Sequence, residues 1–355
     1  MVGGRGYRCH VAPFAPSAAL PPLSRFVGCY SNDFGTQAAV RSVAGTDESW
    51  LALVYCERPG PTSKADCLNC LFRAARPWRP AFYVLQDAED VVHPLSLSIM
   101  ARLIGRADMV QLPVIALERP VYDLVGGHYL DEFAEAHAKE LVVREALAGH
   151  VPSAGVGCAF AADALEHLAD ARGGAPFHPG ALTEDYEVAL ALHRMGARSI
   201  LARVPAADGA GPVATREYFP SSLTGAVRQK ARWYLGIVFQ GWRQLRWSGS
   251  WRTRYALARD RKAPFAALLT LAGYGLFLAG LSGSMPVLQR PLLRWLLLIN
   301  LTFLAWRLVH RAAFTGQLYG PVQAIVAIPR ALISNLVNAL AALRALALLI
   351  RAAAF

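Results

Sequence analysis

The chain has 355 residues, of which 54% are hydrophobic and 17% charged, against about 25% charged in an ordinary soluble domain. A mean hydropathy of +0.30 also excludes a disordered or low-complexity chain, because so much apolar surface collapses or enters a membrane. The net charge of +11 invites a nucleic-acid reading that its distribution argues against. Between Arg216 and Lys262 there are 11 basic and two acidic residues, Ala263 to Phe355 holds seven arginines and no acid, and the first 215 residues are left at −5. A nucleic-acid binder carries its basic residues, interleaved with stacking groups, on the folded domain. Here that domain is acidic, so no nucleic-acid partner is expected. The asymmetry fits a catalytic domain held at the anionic cytoplasmic face of a membrane.

In chain order, Met1–Ser24 is rich in Pro, Ala, Ser and Arg without periodicity. It is expected to be disordered, and it lacks the apolar core of a signal peptide. Three short apolar runs then read as buried strands: Arg25–Tyr30 (RFVGCY), Trp50–Tyr55 (WLALVY) and Phe82–Leu85 (FYVL), with a helix over Lys64–Ala75. Strands alternating with helices predict an α/β fold with a mostly parallel sheet, whose ligands sit at the carboxyl ends of the strands. The six cysteines are Cys9, Cys29, Cys56, Cys67, Cys70 and Cys158. One C-x-x-C, at Cys67 and Cys70, has no second pair and is read as reduced cysteines on a buried helix in preference to a zinc site.

The third strand runs into Gln86-Asp87-Ala88-Glu89-Asp90, three carboxylates in four residues. Such a cluster is costly unless a cation or donor groups neutralise it. A divalent ion carrying substrate phosphates is the natural partner, since Mg2+ and Mn2+ take hard oxygen ligands, and a polar turn or helix cap is the structural alternative. Lys64 follows Gly60-Pro61-Thr62-Ser63 at a helix start whose amides suit an anion. A second acidic cluster, Thr183-Glu184-Asp185, follows the turn at Pro179-Gly180. Gln229-Lys230-Ala231-Arg232-Trp233 then offers an amide, a guanidinium for a diphosphate and an indole for a sugar face within about one helical turn. An Arg-Trp pair also occurs as a plain membrane anchor.

Trp242–Arg254 (WRQLRWSGSWRTR) alternates tryptophan with arginine, as at the level of lipid headgroups. Ala263–Gln289 carries no charge and is long enough to span a bilayer core of about 30 Å. Pro291–Val309 is a second span, joined to the first by the turn-rich Ser-Gly-Ser-Met-Pro. In Arg330–Arg351, Ile333, Leu336, Val337, Leu340 and Leu343 follow helical spacing, with Arg330, Ser334, Asn338 and Arg344 opposite. This pattern suits an interfacial helix, with a third span as the competing reading.

The ordered motifs D-x-D-like, T-E-D and Q-x-x-R-W resemble the processive-type membrane glycosyltransferases of family 2, the group that includes cellulose and hyaluronan synthases. The resemblance also rests on ERPGPTSKADCLN (Glu57–Asn69), DAEDVVHPL (Asp87–Leu95), YLDEFAEAHAKE (Tyr129–Glu140) and VREALAGHVPSAGVG (Val143–Gly157). LTEDYE (Leu182–Glu187), REYFP (Arg216–Pro220) and AVRQKARWYLGIVFQGW (Ala226–Trp242) complete it. It runs from about Arg25 to the C-terminus. It implies a GT-A (Rossmann-like) glycosyltransferase domain over residues 25–241, a basic juxtamembrane segment over 242–262 and a membrane region over 263–355. That region holds spans near 263–285 and 291–309 and a membrane-associated helix at 330–351.

The resemblance implies that Asp87 and Glu89, with Asp90 as a further candidate, hold Mg2+ or Mn2+, and that Asp185, beside Glu184, is the general base. It implies donor contacts from Lys64, Asn69, Gln229 and Arg232, and acceptor contacts from Trp233, Gly155 and Gly157. The implied partners are a nucleotide-diphosphate sugar, a glycan or lipid acceptor, membrane lipids and an outer-membrane or export partner. The implied setting is the bacterial inner membrane, with the catalytic domain cytoplasmic, in exopolysaccharide or other surface-glycan assembly. The family's first strand, with its Pro-x-Tyr/Trp-Asn-Glu type motif, has no counterpart in Met1–Ser24. The expectation is a domain lacking its first strand, in an N-terminally truncated or frameshifted member, with two alternatives. One is an inactive remnant serving as a membrane scaffold or partner subunit. The other is a different metal-dependent enzyme, against which Q-x-x-R-W argues.

Overall fold

The computed structural model describes residues 23–44, 50–206, 211–281 and 290–353. The Ser-Gly-Ser-Met-Pro link and all of Met1–Ser24 but its last two residues lie outside them. In chain order the elements begin with β1 (Arg25–Tyr30), α1 (Phe34–Ala44), β2 (Leu51–Cys56), α2 (Lys64–Ala75), β3 (Phe82–Leu85) and β4 (Val91–Val92). There follow α3 (Ser96–Leu103), β5 (Met109–Gln111), β6 (Val114–Ala116), α4 (Leu124–Glu135), a π-helical turn (Ala136–Glu140) and α5 (Leu141–Ala148). Next come β7 (Cys158–Ala161), α6 (Ala162–Asp170), α7 (Glu184–Arg194), β8 (Ser199–Leu201), β9 (Thr215–Glu217) and α8 (Leu223–Trp233). A second π-helical turn (Tyr234–Gln240) leads to α9 (Gly241–Leu245), α10 (Trp251–Arg261), α11 (Ala263–Leu281) and α12 (Pro291–Ala353). By internal packing the chain forms two units. The first comprises Met1–Leu112, His150–Arg203 and Val213–Thr215, and the second Pro113–Gly149, Val204–Pro212 and Arg216–Phe355.

In the first unit β1 and β2 pair in parallel, Arg25 opposite Leu51 and Tyr30 opposite Cys56. A separate sheet has the order β3-β7-β5-β8. There β7 runs antiparallel to both β3 and β5, and β8 runs parallel to β5. The mostly parallel sheet expected from the strand–helix alternation is therefore mixed. β7, the strand that runs in the reverse direction, follows a turn in which Gly155 and Gly157 both have positive φ. Among the described residues no strand pairs β1 or β2 with β3. One face of the second sheet is covered by α2, α6 and α7, through Phe72, Met109, Phe160, Leu165, Val188 and Leu192. Burial of these side chains contributes about 1.5–3 kcal/mol each before entropy is counted. The five described cysteines are free thiols. Burial first, then the nearby Asp33, pushes the Cys29 thiol up to about 11, which marks an unreactive side chain.

The second unit is helical and organised around buried charge. Asp131 of α4 and Arg330 of α12 are both fully buried, and joined by Arg330 Nη2 to Asp131 Oδ1 at 2.7 Å and Nε to Oδ2 at 3.1 Å. Thr315 Oγ1 donates to the same carboxylate, and Arg330 also donates to Gln323 Oε1 and its carbonyl. Burial raises the Asp131 carboxyl to about 6, with Arg330 and Arg311 opposing the shift. The next residue of α4, Glu132, pairs with Lys230 of α8, which also donates to Asn338 Oδ1 at 3.0 Å. Ser334 Oγ and Asn338 Nδ2 donate to the other oxygen of Glu132. Of the polar stripe read over Arg330, Ser334, Asn338 and Arg344, the first three thus face α4 and α8, whereas Arg344 is exposed. Leu332, Leu336 and Leu343, on the opposite side, are exposed. α12 is two helices broken at Gly320, whose φ is +83°, and the proline after it lacks an amide to continue the first.

Two helices, α11 and α12, are long and apolar enough to cross a membrane by length and composition. α11 is exposed along nearly all its length. The apolar part of α12 before His310 is exposed too, and from Arg311 onward the helix is partly buried.

Removing one partner of a buried ion pair strands the other charge, at a cost of about 3–5 kcal/mol. Arg330→Met is therefore expected to lower the melting temperature of the second unit sharply. The double variant Arg330→Met/Asp131→Leu is expected to recover most of the loss, as thermal melts of the detergent-solubilised chain will show. Two buried imidazoles give a pH dependence. Burial lowers His128 and His137 from 6.5 to about 4 each, and His137 Nδ1 accepts the Val114 amide at 3.2 Å, which requires the neutral ring. The unfolded chain therefore binds more protons between these values, so the contribution is complete above pH 6.5 and is lost as pH falls toward 4. At pH 5 the expected loss is about 2 kcal/mol per imidazole, read as a melting temperature that falls with acid and falls less in His137→Gln.

Candidate active site

The acidic motifs converge in the first unit around one ammonium. Ser63 caps α2, its side chain accepting the Asp66 amide and donating to the Pro179 carbonyl at 2.8 Å. Lys64 therefore begins the helix, at the end where the backbone dipole disfavours a cation. Its Nζ lies 2.5 Å from Asp87 Oδ1 and 4.0 Å from Glu184 Oε1. Burial would lower this ammonium, but Asp87, Glu184 and Asp185 outweigh it and hold it above the usual lysine range. α7 brings Glu184 and Asp185 here in its first turn, where the same dipole favours carboxylates.

Beyond β3 the chain turns so that the Asp87 amide donates to Asp90 Oδ2 at 2.7 Å. Asp90 Oδ1 is buried and finds no hydrogen-bond partner among the described residues. Burial first, then the negative Asp87 and Glu89, pushes this carboxyl up to about 7, against the Asp87 amide. Glu89 is exposed. Among the described residues no group of three or more His, Cys, Asp or Glu is arranged to hold a metal ion. Asp87 and Asp90 nonetheless fit a divalent cation of the Mg2+ type, which takes one or two carboxylates and completes its shell with substrate phosphates and water. The buried, unpartnered Asp90 oxygen is the observation that supports this fit.

The opposite wall is the turn Ser153–Gly157. Gly155 has φ +81°, and a Cβ there would come within 2.9 Å of Asp185 Oδ2. Only a glycine lets this backbone approach the carboxylate. At Gly157, with φ +60°, a Cβ would meet Thr215 Oγ1 at 2.5 Å. The structure thus brings together Lys64, Asp87, Asp90, Glu184, Asp185, Gly155 and Gly157. Asn69 takes a bracing part: it is buried, with Nδ2 donating to the Phe177 carbonyl at 2.7 Å and Oδ1 accepting the Phe177 amide.

Gln229, Arg232 and Trp233 belong to the second unit, on the last turns of α8. Arg232 is exposed, and Gln229 Oε1 is buried without a hydrogen-bond partner among the described residues. Trp233 stands edge-on to Tyr129 at 6.4 Å, and Tyr129 stacks on Phe219 at 4.8 Å. The aromatic cradle of Tyr129, Phe133 and Phe219 comes from YLDEF and REYFP, stretches that the sequence reading quoted without giving them a part. Gln86 and Gln111, which bind the Ser153–Gly157 turn, were also unassigned. The available signal was a lone amide within the apolar run Met109–Ala116.

Gly155→Ala is expected to cost about 1 kcal/mol or more from the positive φ alone and to displace Asp185. Parallel thermal melts and transfer assays are expected to show activity falling by much more than stability.

The family model for glycosyl transferase family group 2 matches residues 83–329. The chain is 37% identical over 361 aligned residues to Bacteriophage adsorption protein B of Escherichia coli (strain K12), covering 90% of this chain and 48% of the relative. The same identity and coverage hold for Bacteriophage N4 adsorption protein B of Escherichia coli O157:H7. The chain thus spans about half the length of these curated relatives. With its mixed α/β unit carrying the acidic motifs and its long apolar C-terminal helices, this chain belongs to glycosyl transferase family group 2.

Proposed function

We propose that the chain is an inverting glycosyltransferase of the hexosyltransferase type, moving a sugar from a nucleotide-diphosphate sugar to a hydroxyl of a glycan or lipid-linked acceptor. The observation that carries this reading is the gathering of Asp87, Asp90, Glu184 and Asp185 around Lys64. A single cation shared by so many carboxylates is suited to exchange partners when a diphosphate and its counter-ion arrive. Asp185 takes the acceptor proton as its oxygen attacks the anomeric carbon, while the bond to the diphosphate breaks on the opposite face. Lys64, released from Asp87, pairs with the departing diphosphate. Asp87 and Asp90 would hold Mg2+ or Mn2+, which when bound neutralises developing charge on that leaving group. The family resemblance gives Gln229, Arg232 and Trp233 to donor and acceptor as well, with the guanidinium on the diphosphate.

The apolar helices α11 and α12, after the basic stretch Arg216–Lys262, support multi-pass placement in the bacterial inner membrane with the first unit cytoplasmic. The names of the two relatives concern bacteriophage adsorption. By that likeness the product is proposed as part of a surface glycan, handed to an export or outer-membrane partner. The separation of the β1–β2 sheet from β3-β7-β5-β8 favours a second reading, a membrane-bound subunit that binds nucleotide without turnover.

Membranes containing the full chain, supplied with a panel of nucleotide-diphosphate sugars and Mn2+, separate the two. The first reading expects transfer that is abolished by chelation and reduced about 10²–10⁴-fold by Asp185→Asn. Activity unchanged by that substitution refutes the assigned base. Manganese-dependent nucleoside-diphosphate binding without any transfer supports the second reading.

A further inference from the structure

The Ser153–Gly157 turn that meets Asp185 is held from behind by two carboxamide side chains, chiefly that of Gln111. Gln111, at the end of β5, is fully buried. Its Oε1 accepts the Ala154 amide at 2.9 Å, and its Nε2 donates to the carbonyls of Leu112, Val156 and Gly157 at 2.8, 2.9 and 3.3 Å. Gln86, which follows β3 and precedes Asp87, accepts the Gly157 amide at 3.0 Å. The turn therefore has two sides. One is fastened to the carboxamides of Gln86 and Gln111, and the other presents the Gly155 backbone to Asp185 without room for a side chain.

A carboxamide is required at position 111 because the site needs an acceptor for the Ala154 amide and two N–H donors for the Leu112 and Val156 carbonyls, with the more distant Gly157 carbonyl sharing one of them. A glutamate would set a negative oxygen against those carbonyls, and an apolar side chain would leave buried backbone groups unpaired. Ordinary packing of β5 against β7 needs neither property, since their ladder is made by main-chain groups alone. We propose that Gln111 is a positioning residue for the transfer reaction. Through the Ser153–Gly157 turn it fixes where an acceptor hydroxyl stands relative to Asp185, and it takes no part in holding the donor. The proposal rests on the reading of Asp185 as general base.

The test compares the full chain in membranes with Gln111→Met, which keeps the volume and removes the amide, and with Gln111→Glu, which reverses the donors. Five quantities are read: kcat, donor KM, the pH dependence of kcat, manganese-dependent binding of nucleoside diphosphate, and hydrogen exchange at the amides of residues 154–157. The expected result for Gln111→Met is a fall in kcat of ten-fold or more, with donor KM and nucleoside-diphosphate affinity within two-fold of the parent. The acid limb of the kcat profile is expected to shift, because the group packed on Asp185 has moved, and exchange at Ala154 and Gly157 is expected to quicken.

A variant that melts like the parent and keeps its kcat and its acid limb overturns the proposal. So does a loss of nucleoside-diphosphate affinity that matches the loss of kcat, which would make Gln111 a general structural support. If Gln111→Met does not fold, Gln111→Glu decides by the same readouts. If neither folds, Gln111 is a structural residue and the proposal fails. Asp185→Asn in parallel separates the two readings: if it is fully active, the assignment of the base is at fault. If it is inactive while Gln111→Met is unaffected, only the role of Gln111 falls.

Discussion

Lys64 occupies a helix position where the backbone dipole works against a cation, and it stays charged there because Asp87, Glu184 and Asp185 surround it. The acidic centre of the first unit depends on this arrangement. Without the ammonium, carboxylates from β3's turn and α7's first turn would repel one another at close quarters. With it they are held within reach of one another. Ser63 and Asn69 serve the same end by tying the start of α2 to the Phe177–Pro179 segment that leads into α7.

The second unit solves a related problem with permanent pairs. α4 carries Asp131, Glu132 and Glu135, acids that an isolated helix would turn to water. Arg330, Lys230 and Arg311 meet them instead. A buried charge without its partner is costly, so the loss of either member of a pair leaves the other stranded. The pairing fastens the helix that carries Gln229, Arg232 and Trp233 to the long C-terminal helix through Lys230, Glu132 and Asn338.

Much of this was legible in the residues. Three apolar runs marked β1, β2 and β3 to within a residue, and the helix over Lys64–Ala75 is where its cap and spacing put it, because local pattern and tertiary burial agree there. The acidic motifs were equally visible, since several carboxylates at a strand end need a neutralising partner wherever they are found. The strands β4 to β9 were not anticipated, being too short to show a period of two. The antiparallel course of β7 is set by the pairing of distant segments, which no periodicity reveals.

The sequence by itself determined the family of motifs, the acidic and basic halves, and the helices long and apolar enough for a bilayer, because composition and spacing along one chain carry those properties. Only the tertiary structure decided which polar groups are buried and what they meet. Arg330, Ser334, Asn338 and Arg344 read as the polar side of an interfacial helix; the first three proved to meet α4 and α8, and Arg344 is exposed. Gln111 drew no reading from the sequence and proved to hold the turn beside Asp185. The physical reason is shared: a buried polar group is tolerated only beside its partner, and the partners of these residues come from distant parts of the chain.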